Sequence, residues 1–270
     1  MKKIYVFIAV VFDIIIISTA KNLRKLPEQD YEFGKYKGEY KDGKAEGKGI
    51  MRYTNGDKYI GDFKNGLKDG KGEYFYKNGN KYIGDFKEGK LEGKGIFEYT
   101  NGNKYEGEFK DNLREGKGTF YYINGNIYEG DWKKGLKEGK GIFYYLEGDK
   151  YEGDFKNDRK DGKGKFIWKD GDIYEGEFVN GYYEGKGKYY WHDGDIYEGD
   201  FKNGIIEGKG IYYWKDGKRY EGDWKFWKKE GTGVIYYPNG DKEMGEYLDG
   251  EPIGKHAVLH SNGEISAKYY

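Results

Sequence analysis

From Tyr36 onward the chain repeats itself every 23 residues without an insertion, and this period constrains the fold more than any other feature. Copies begin at Tyr36, Tyr59, Tyr82, Tyr105, Tyr128, Tyr151, Tyr174, Tyr197 and Tyr220, and a tenth begins at Glu243, where the tyrosine is lost. A fixed short period means one supersecondary unit per copy, stacked on its neighbours, and not a single globular core. With the first residue of each copy as position zero, position two is Gly in all ten copies and position four is always aromatic. Positions eleven and twenty are always Gly, and position thirteen is Gly except at His256. The second copy carries this frame as Tyr59, Gly61, Phe63, Gly70, Gly72 and Gly79, the fifth as Tyr128, Gly130, Trp132, Gly139, Gly141 and Gly148.

Each copy reads as two strands. The opening residues alternate between an aromatic/Gly side and a charged side, the period-two signature of a strand. A second run, such as Gly141-Ile142-Phe143-Tyr144-Tyr145, is β-branched and aromatic, which also favours a strand. A Gly-x-x-x-Gly turn, as from Gly66 to Gly70, is expected between them. Asn-Gly or Asp-Gly follows the second run in every copy but one, where Glu147-Gly148 stands. That dipeptide is a strong hairpin signal and predicts a turn with both residues at positive φ. The result is an all-β meander of β-hairpin repeats, solenoid-like. About 20 strands at about 4.8 Å spacing give an elongated, twisted, single-layer antiparallel β-sheet about 95 Å long.

Glycine inside a strand costs stability and needs a reason. Positions zero, two and four share one face, as do thirteen, fifteen and seventeen of the partner strand. The expectation is a ladder of rings lying over bare glycine backbone, with the Glu/Asp at position three and Lys at position five turned to solvent. The composition suits this: 47 Gly, 31 Tyr and 19% aromatic residues, too aromatic for a disordered chain despite 36% charge.

The pattern Tyr-x-Gly-x-Phe/Trp, Gly-x-x-x-Gly-x-Gly, Asn/Asp-Gly resembles the MORN (membrane occupation and recognition nexus) repeat over residues 36–265. The resemblance implies a single-layer sheet with a groove along one face, and a scaffold or protein-binding module. It further implies that dimerisation or association with acidic phospholipid occurs in some members. The departures fall at Asn112, Asp158 and Trp227, which replace Gly at position seven, and in the tenth copy, where Glu243, His256 and His260 suggest a degenerate cap. Asn and Asp tolerate φ > 0, so those two turns should persist, whereas Phe226-Trp227 predicts a hydrophobic protrusion or an altered turn. Residues 266–270 read as a possible capping strand.

Residues 1–20 differ from all that follows. Lys2 and Lys3 precede an apolar run interrupted by Asp13, and Ser18-Thr19-Ala20 ends it. This is the anatomy of a secretory signal cleaved after Ala20, and it predicts export to the periplasm, cell surface or extracellular space. An uncleaved anchor over residues 4–20 and an ordinary buried segment are the alternatives. Residues 21–35 read as a polar spacer.

No catalytic residue, metal ligand set or cofactor is expected. There is no Cys, which removes disulfides and thiolate chemistry. The Gly-x-x-x-Gly-Lys run superficially resembles a P-loop but is one residue short, places Gly72 where Ser or Thr should stand, and recurs as a repeat element. His256 and His260 share a face, yet a metal would need a further ligand such as Glu264. The 48 basic and 48 acidic residues are finely mixed, so no nucleic-acid footprint exists and a lipid surface finds no cationic footing. The candidate binding residues are Trp168, Trp191 and Trp214 at position seventeen of successive copies, with Tyr190, Tyr213 and Tyr236 at position sixteen on the opposite face. They suit a protein partner, with glycan or membrane lipid as alternatives, and a homodimer through the terminal sheet edges is a further expectation.

Overall fold

The computed structural model describes residues 28–270; the expected signal segment 1–20 and residues 21–27 lie outside the described residues. The described residues form 22 β-strands joined by turns, with no helix among them. They divide into two compact units, one ending at Leu136 and one running from Lys137 to Tyr270. Within each unit the strands form a single-layer meander, each paired antiparallel with its neighbours in sequence. The first unit opens with Glu28–Tyr31 paired on Gly34–Lys41, so part of the expected spacer is strand. The second closes with Ile265–Tyr269 paired on Glu251–Leu259.

Register explains the strand glycines. In the second unit Gly153, Gly164, Gly176, Gly187 and Gly199 face one another across successive strands. The same stripe crosses the first unit through Gly38, Gly49, Gly61 and Gly72. The position-zero tyrosines lie on this stripe and are fully buried from Tyr36 to Tyr220. A Cβ on Gly153 would stand 2.5 Å from Gly164 Cα and 2.6 Å from Tyr151 Oη, so no side chain fits. Each tyrosine hydroxyl, carried across the stripe, donates to a backbone carbonyl at position three: Tyr59 to Asp62 at 3.0 Å, Tyr151 to Asp154 at 2.9 Å. Without that bond a buried hydroxyl would cost about 1–3 kcal/mol.

Within each unit the tyrosine rings also stand edge-on between two position-four rings, their own and that of the next copy. Tyr59 meets Phe63 at 5.1 Å and Phe86 at 4.9 Å, and Tyr151 meets Phe155 at 5.2 Å and Phe178 at 4.9 Å. These T-shaped contacts suit the ring quadrupoles and join copy to copy, so the ladder is the core.

The turns depart from expectation in type. The tight two-residue turn sits at positions six and seven, where Asn65 and Gly66 have φ of 52° and 86°. Gly70 is already inside the strand Leu67–Phe75, at φ 104°, where the register shifts by a bulge between Gly61 and Phe63. Asn55-Gly56, in contrast, belongs to a three-residue loop: Gly56 N–H donates to the Tyr53 carbonyl at 3.0 Å, Tyr53 N–H to Asp57 at 2.9 Å, and only the glycine has positive φ. This is a type I turn closed by a glycine bulge. Asn112 and Asp158 keep the tight turn at φ 68°, and so does Trp227 at φ 67° beside Phe226 at φ 49°. The Phe226-Trp227 turn is therefore unaltered in backbone, and Phe226 projects outward, 62% exposed.

Carboxylates tie the backbone, among them the position-three acids expected in solvent. Position-three acids close the bulge: Asp62 accepts the Lys71 N–H at 3.0 Å, and Asp154 that of Lys163 at 3.0 Å. Position-ten acids reach the turn of the next copy, as Glu46 accepts the Asn65 N–H at 2.9 Å and Glu184 that of Asn203 at 3.0 Å. Position 21 does the same for the wide loop, with Asp57 bonded to Lys77 N–H at 2.7 Å and Asp195 to Lys215 N–H at 3.0 Å. The position-five lysines, such as Lys64 and Lys202, are exposed as expected.

The tenth copy is compensated. The His256 ring lies over Gly245, where a Cβ would strike it, and so fills the space that a position-zero tyrosine occupies elsewhere. Its Nε2 bonds the Glu246 carbonyl at 2.9 Å, as the tyrosine hydroxyls bond theirs, and its Nδ1 bonds Glu243 at 3.0 Å. Both residues are buried. Tyr270 packs on His256 at 4.8 Å and donates to Glu243 at 2.5 Å, taking the place of a position-four ring. Burial opposes the Glu243 charge, but the hydroxyls of Tyr270 and Tyr237, the Lys268 ammonium and His256 hold its carboxyl below the ordinary range.

Candidate binding surfaces

The ladder does not stop at the buried rings. Positions fifteen and seventeen extend it as a row along the wide-loop edge of the same face, buried at position-fifteen rings such as Phe166 and Tyr189 and half-buried at Trp168, Trp191 and Trp214. In the second unit Phe166, Trp168, Tyr189, Trp191, Tyr212 and Trp214 follow one another at centroid distances of 4.6, 5.2, 4.6, 5.1 and 5.0 Å. In the first unit Tyr74, Tyr76, Phe97 and Tyr99 make the equivalent row at 4.5, 5.5 and 4.5 Å. Tryptophan thus takes the place of tyrosine in a shared ladder.

Position-21 carboxylates lie between these rings. Asp172 accepts the Tyr189 hydroxyl at 2.9 Å and Asp195 that of Tyr212 at 2.6 Å. Burial opposes the charge on Asp172, but the His192 N–H, the His192 ring and the Tyr189 hydroxyl outweigh it and keep the carboxyl low. His192 is bonded to Asp172 at 2.8 Å. That bond raises its pKa.

Position nine adds cations to the same face. Lys68 Nζ lies 4.1 Å from the Tyr74 ring centre and 5.4 Å from Phe86, and Lys160 Nζ lies 4.3 Å from Phe166 and 5.1 Å from Tyr151. Burial pushes both ammonium groups down to about 8. Arg114 stacks over Trp132 at 4.2 Å. These cations cover rings that a ligand would otherwise reach. No sequence signal for them was read, because Lys at one more position of a lysine-rich repeat looks like a solvated face.

The opposite face carries a groove. In the second unit the glycine stripe is its floor, with Lys186, Glu177 and Lys209 on one side and Lys188, Glu198 and Ile211 on the other, enclosing about 1080 Å³. The walls neutralise themselves: Lys165 pairs with Glu175 at 2.5 Å, Lys188 with Glu198 at 2.9 Å and Lys209 with Asp223 at 2.7 Å. Tyr236 lines this groove, and Arg219 stacks on its ring at 4.1 Å. Tyr190 and Tyr213 flank the intervening Ile196 on neighbouring strands. The six candidate residues therefore form two sets on two faces, three tryptophans in the ladder and three tyrosines beside the groove.

His256 and His260 do not converge on a common site: His260 bonds Asp241 at 3.2 Å and Ser266 at 2.9 Å, while His256 is turned to Glu243. Among the described residues no three His, Cys, Asp or Glu are grouped to hold a metal ion.

The profile of the MORN repeat matches nine consecutive stretches from 36–58 to 220–242, each of one 23-residue copy. No curated protein matches the chain. Among solved structures, the TCP10 domain of Danio rerio CPAP is similar at 12% identity over 72% of this chain and 92% of that one, with a TM-score of 0.46. The SAS-4 TCP domain of Drosophila melanogaster, solved with a proline-rich motif of Ana2, gives 16% identity over 66% and 85%, with a TM-score of 0.34. Virginiamycin B lyase from Staphylococcus aureus gives 15% over 91% and 88%, with a TM-score of 0.17. All three superpositions fall below a TM-score of 0.5, too loose a likeness to carry a function across.

Proposed function

The chain belongs to the MORN-repeat family, and from that premise we propose that it is a non-catalytic scaffold that binds a protein partner along the aromatic ladder of its second unit. The observation that carries this reading is the row from Phe166 to Trp214, six rings in succession along the edge of the ladder face. Tyrosine and tryptophan are the side chains most enriched at protein interfaces, because they offer large contact area and a polar tip for little conformational entropy. The repeated carboxylates do not suit acid–base work: they recur from copy to copy and already accept backbone N–H groups.

Affinity capture with the full chain against Trp191→Ala tests the reading, with circular dichroism to establish that the variant keeps its sheet. A partner held by the wild type and lost in the variant is expected. Retention of every captured protein by the variant would remove the ladder as the site. A glycan bound in a Trp191-dependent way, with no protein, would favour the carbohydrate alternative that the Trp/Asp row also suits. Salt-sensitive binding to acidic vesicles would favour lipid.

For residues 1–20 we propose a secretory signal and export to the cell envelope. N-terminal sequencing of the native protein is expected to begin at Lys21; an intact Met1 would instead indicate an anchor or no export.

A further inference from the structure

The two units differ where the ladder meets its wide loops. In the copies beginning at Tyr128, Tyr151, Tyr174 and Tyr197, positions 18 to 21 carry seven carboxylates against three lysines, a net charge of −4 with His192 neutral. The same positions in the copies beginning at Tyr36, Tyr59, Tyr82 and Tyr105 carry Asp57 against Lys77, net zero. The acidic loops border the Trp168, Trp191 and Trp214 edge of the second unit, whereas the neutral loops border the all-Tyr/Phe edge of the first. Aromatic change and charge change therefore coincide on one edge.

We propose that this edge binds a cationic, proline-rich peptide in the polyproline II conformation, its prolines seated on the tryptophans and its Arg or Lys side chains turned to the acidic loops. The inference rests on the protein-binding reading above and names the class of partner. Three features support it. The tryptophans recur once per two strands, about 9.6 Å, and polyproline II advances about 9.3 Å per three-residue turn. A peptide crossing the strands would thus meet each indole with the same side, slipping only about 0.6 Å over the three rings. Next, the edge offers no backbone ladder: Trp168, Trp191 and Trp214 N–H groups are already bonded to Asp172, Asp195 and Lys218 carbonyls at 2.9–3.0 Å. The fitting ligand is one whose own backbone needs no protein partner, which describes polyproline II and excludes an added β-strand. Finally, two of the loop carboxylates, Asp172 and Asp216, are held below the ordinary range by their hydrogen bonds and neighbouring cations.

The test titrates the full-length protein, by tryptophan fluorescence at low salt, with three peptides of roughly twelve residues, about four polyproline II turns. These are a Pro-Pro-Arg repeat, a Gly-Ser-Arg repeat of equal charge, and oligoproline. The Pro-Pro-Arg peptide is expected to bind about tenfold more tightly than either control. The triple variant Asp170→Asn, Asp193→Asn, Asp216→Asn removes three charges while keeping the side-chain acceptors that bond the Asp172, Asp195 and Lys218 N–H groups. Asn already serves there in Asn55, Asn78 and Asn101, so the fold is retained. This variant is expected to bind Pro-Pro-Arg about tenfold more weakly. Equal affinity for the Gly-Ser-Arg peptide, or indifference to the triple substitution, overturns the proline-rich assignment and leaves protein binding standing. Binding of none of the peptides overturns it as well, and if an oligosaccharide then quenches the same tryptophans, the protein-binding reading falls with it.

Discussion

Exchanging the last copy's two unusual residues back to the repeat pattern provides the sharpest check on why the ladder holds. His256→Gly alone removes a fully buried ring from above Gly245 and takes one partner from the buried Glu243. A lost ring and a lost hydrogen bond to a buried carboxylate together should cost about 3 kcal/mol. Glu243→Tyr alone sets two rings to compete for the space over Gly245, an overpacking of about 2 kcal/mol. The double variant restores Tyr over a Gly pair, as in the nine copies before it, and should cost almost nothing. Adding the singles would predict about 5 kcal/mol, so the coupling is about 5 kcal/mol, beyond the usual range for contacting residues because the two side chains share one cavity. Hydrogen exchange of the strand Lys242–Leu248 measures this locally, which suits an end copy that can open without the rest. His256→Gly should exchange about a hundredfold faster at this strand, at about 1.4 kcal/mol per tenfold, and the double variant like the wild type. If the double variant exchanges as fast as the summed singles imply, His256 is not standing in for a tyrosine and the compensation argument is wrong.

Other outcomes follow from the same geometry. Gly153→Ala, with a Cβ 2.5 Å from Gly164 Cα, should lower stability by about 2–4 kcal/mol, whereas Gly181→Ala, open around its Cβ but at φ 95°, should cost about 1 kcal/mol; urea midpoints rank them. Phe226→Asn replaces an exposed residue at φ 49° by one that tolerates that region and should raise stability by about 0.5–1 kcal/mol in a thermal melt. On acidification, Asp57, Asp172 and Asp223, all held below the ordinary carboxylate range, contribute stability that is complete above about pH 5 and lost as pH falls through their folded values below about 4. On the alkaline side Lys68 and Lys160 titrate near 8 when folded and 10.5 when not. The unfolded chain then holds these two protons longer, which opposes the loss of stability that the buried tyrosines bring as pH nears about 10, their folded values being raised by burial, so Lys68→Met with Lys160→Met should make stability fall from a lower pH in a urea series.

The sequence made the strand count, the ring-over-glycine stripe and the shared face of positions zero, two and four legible, because ten copies compare themselves. It misplaced the turn types, since Asn-Gly is the usual mark of a two-residue turn. Counting from the glycine stripe would have corrected it. Gly49 facing Gly61 makes Tyr53 face Asp57 and leaves three residues between them, whereas Gly38 facing Gly49 can reach a tight turn at Asp42-Gly43 only through a bulge near Gly47. The position-ten carboxylates were missed because their partners are backbone N–H groups 19 residues on, and no pattern of side chains reports that. His256 looked like decay of the motif, because its role depends on knowing that position thirteen lies beneath the position-zero ring of the neighbouring strand. The tryptophan row was visible as a spacing, and the charge of its bordering loops could also have been summed from sequence, but only the fold sets the two side by side.

The carboxylates at position ten, and Asp or Asn at position 21, reach forward from one copy to the next. Most copies therefore receive from a predecessor acceptors at the same positions at which they supply a successor. Such a chain can gain or lose whole multiples of its period without any internal contact having to be solved anew, while an insertion of even one residue within a copy would set every donor and acceptor that span it out of step. Length in this molecule is a quantity that gene duplication can adjust freely, and reading frame within the copy is one it cannot.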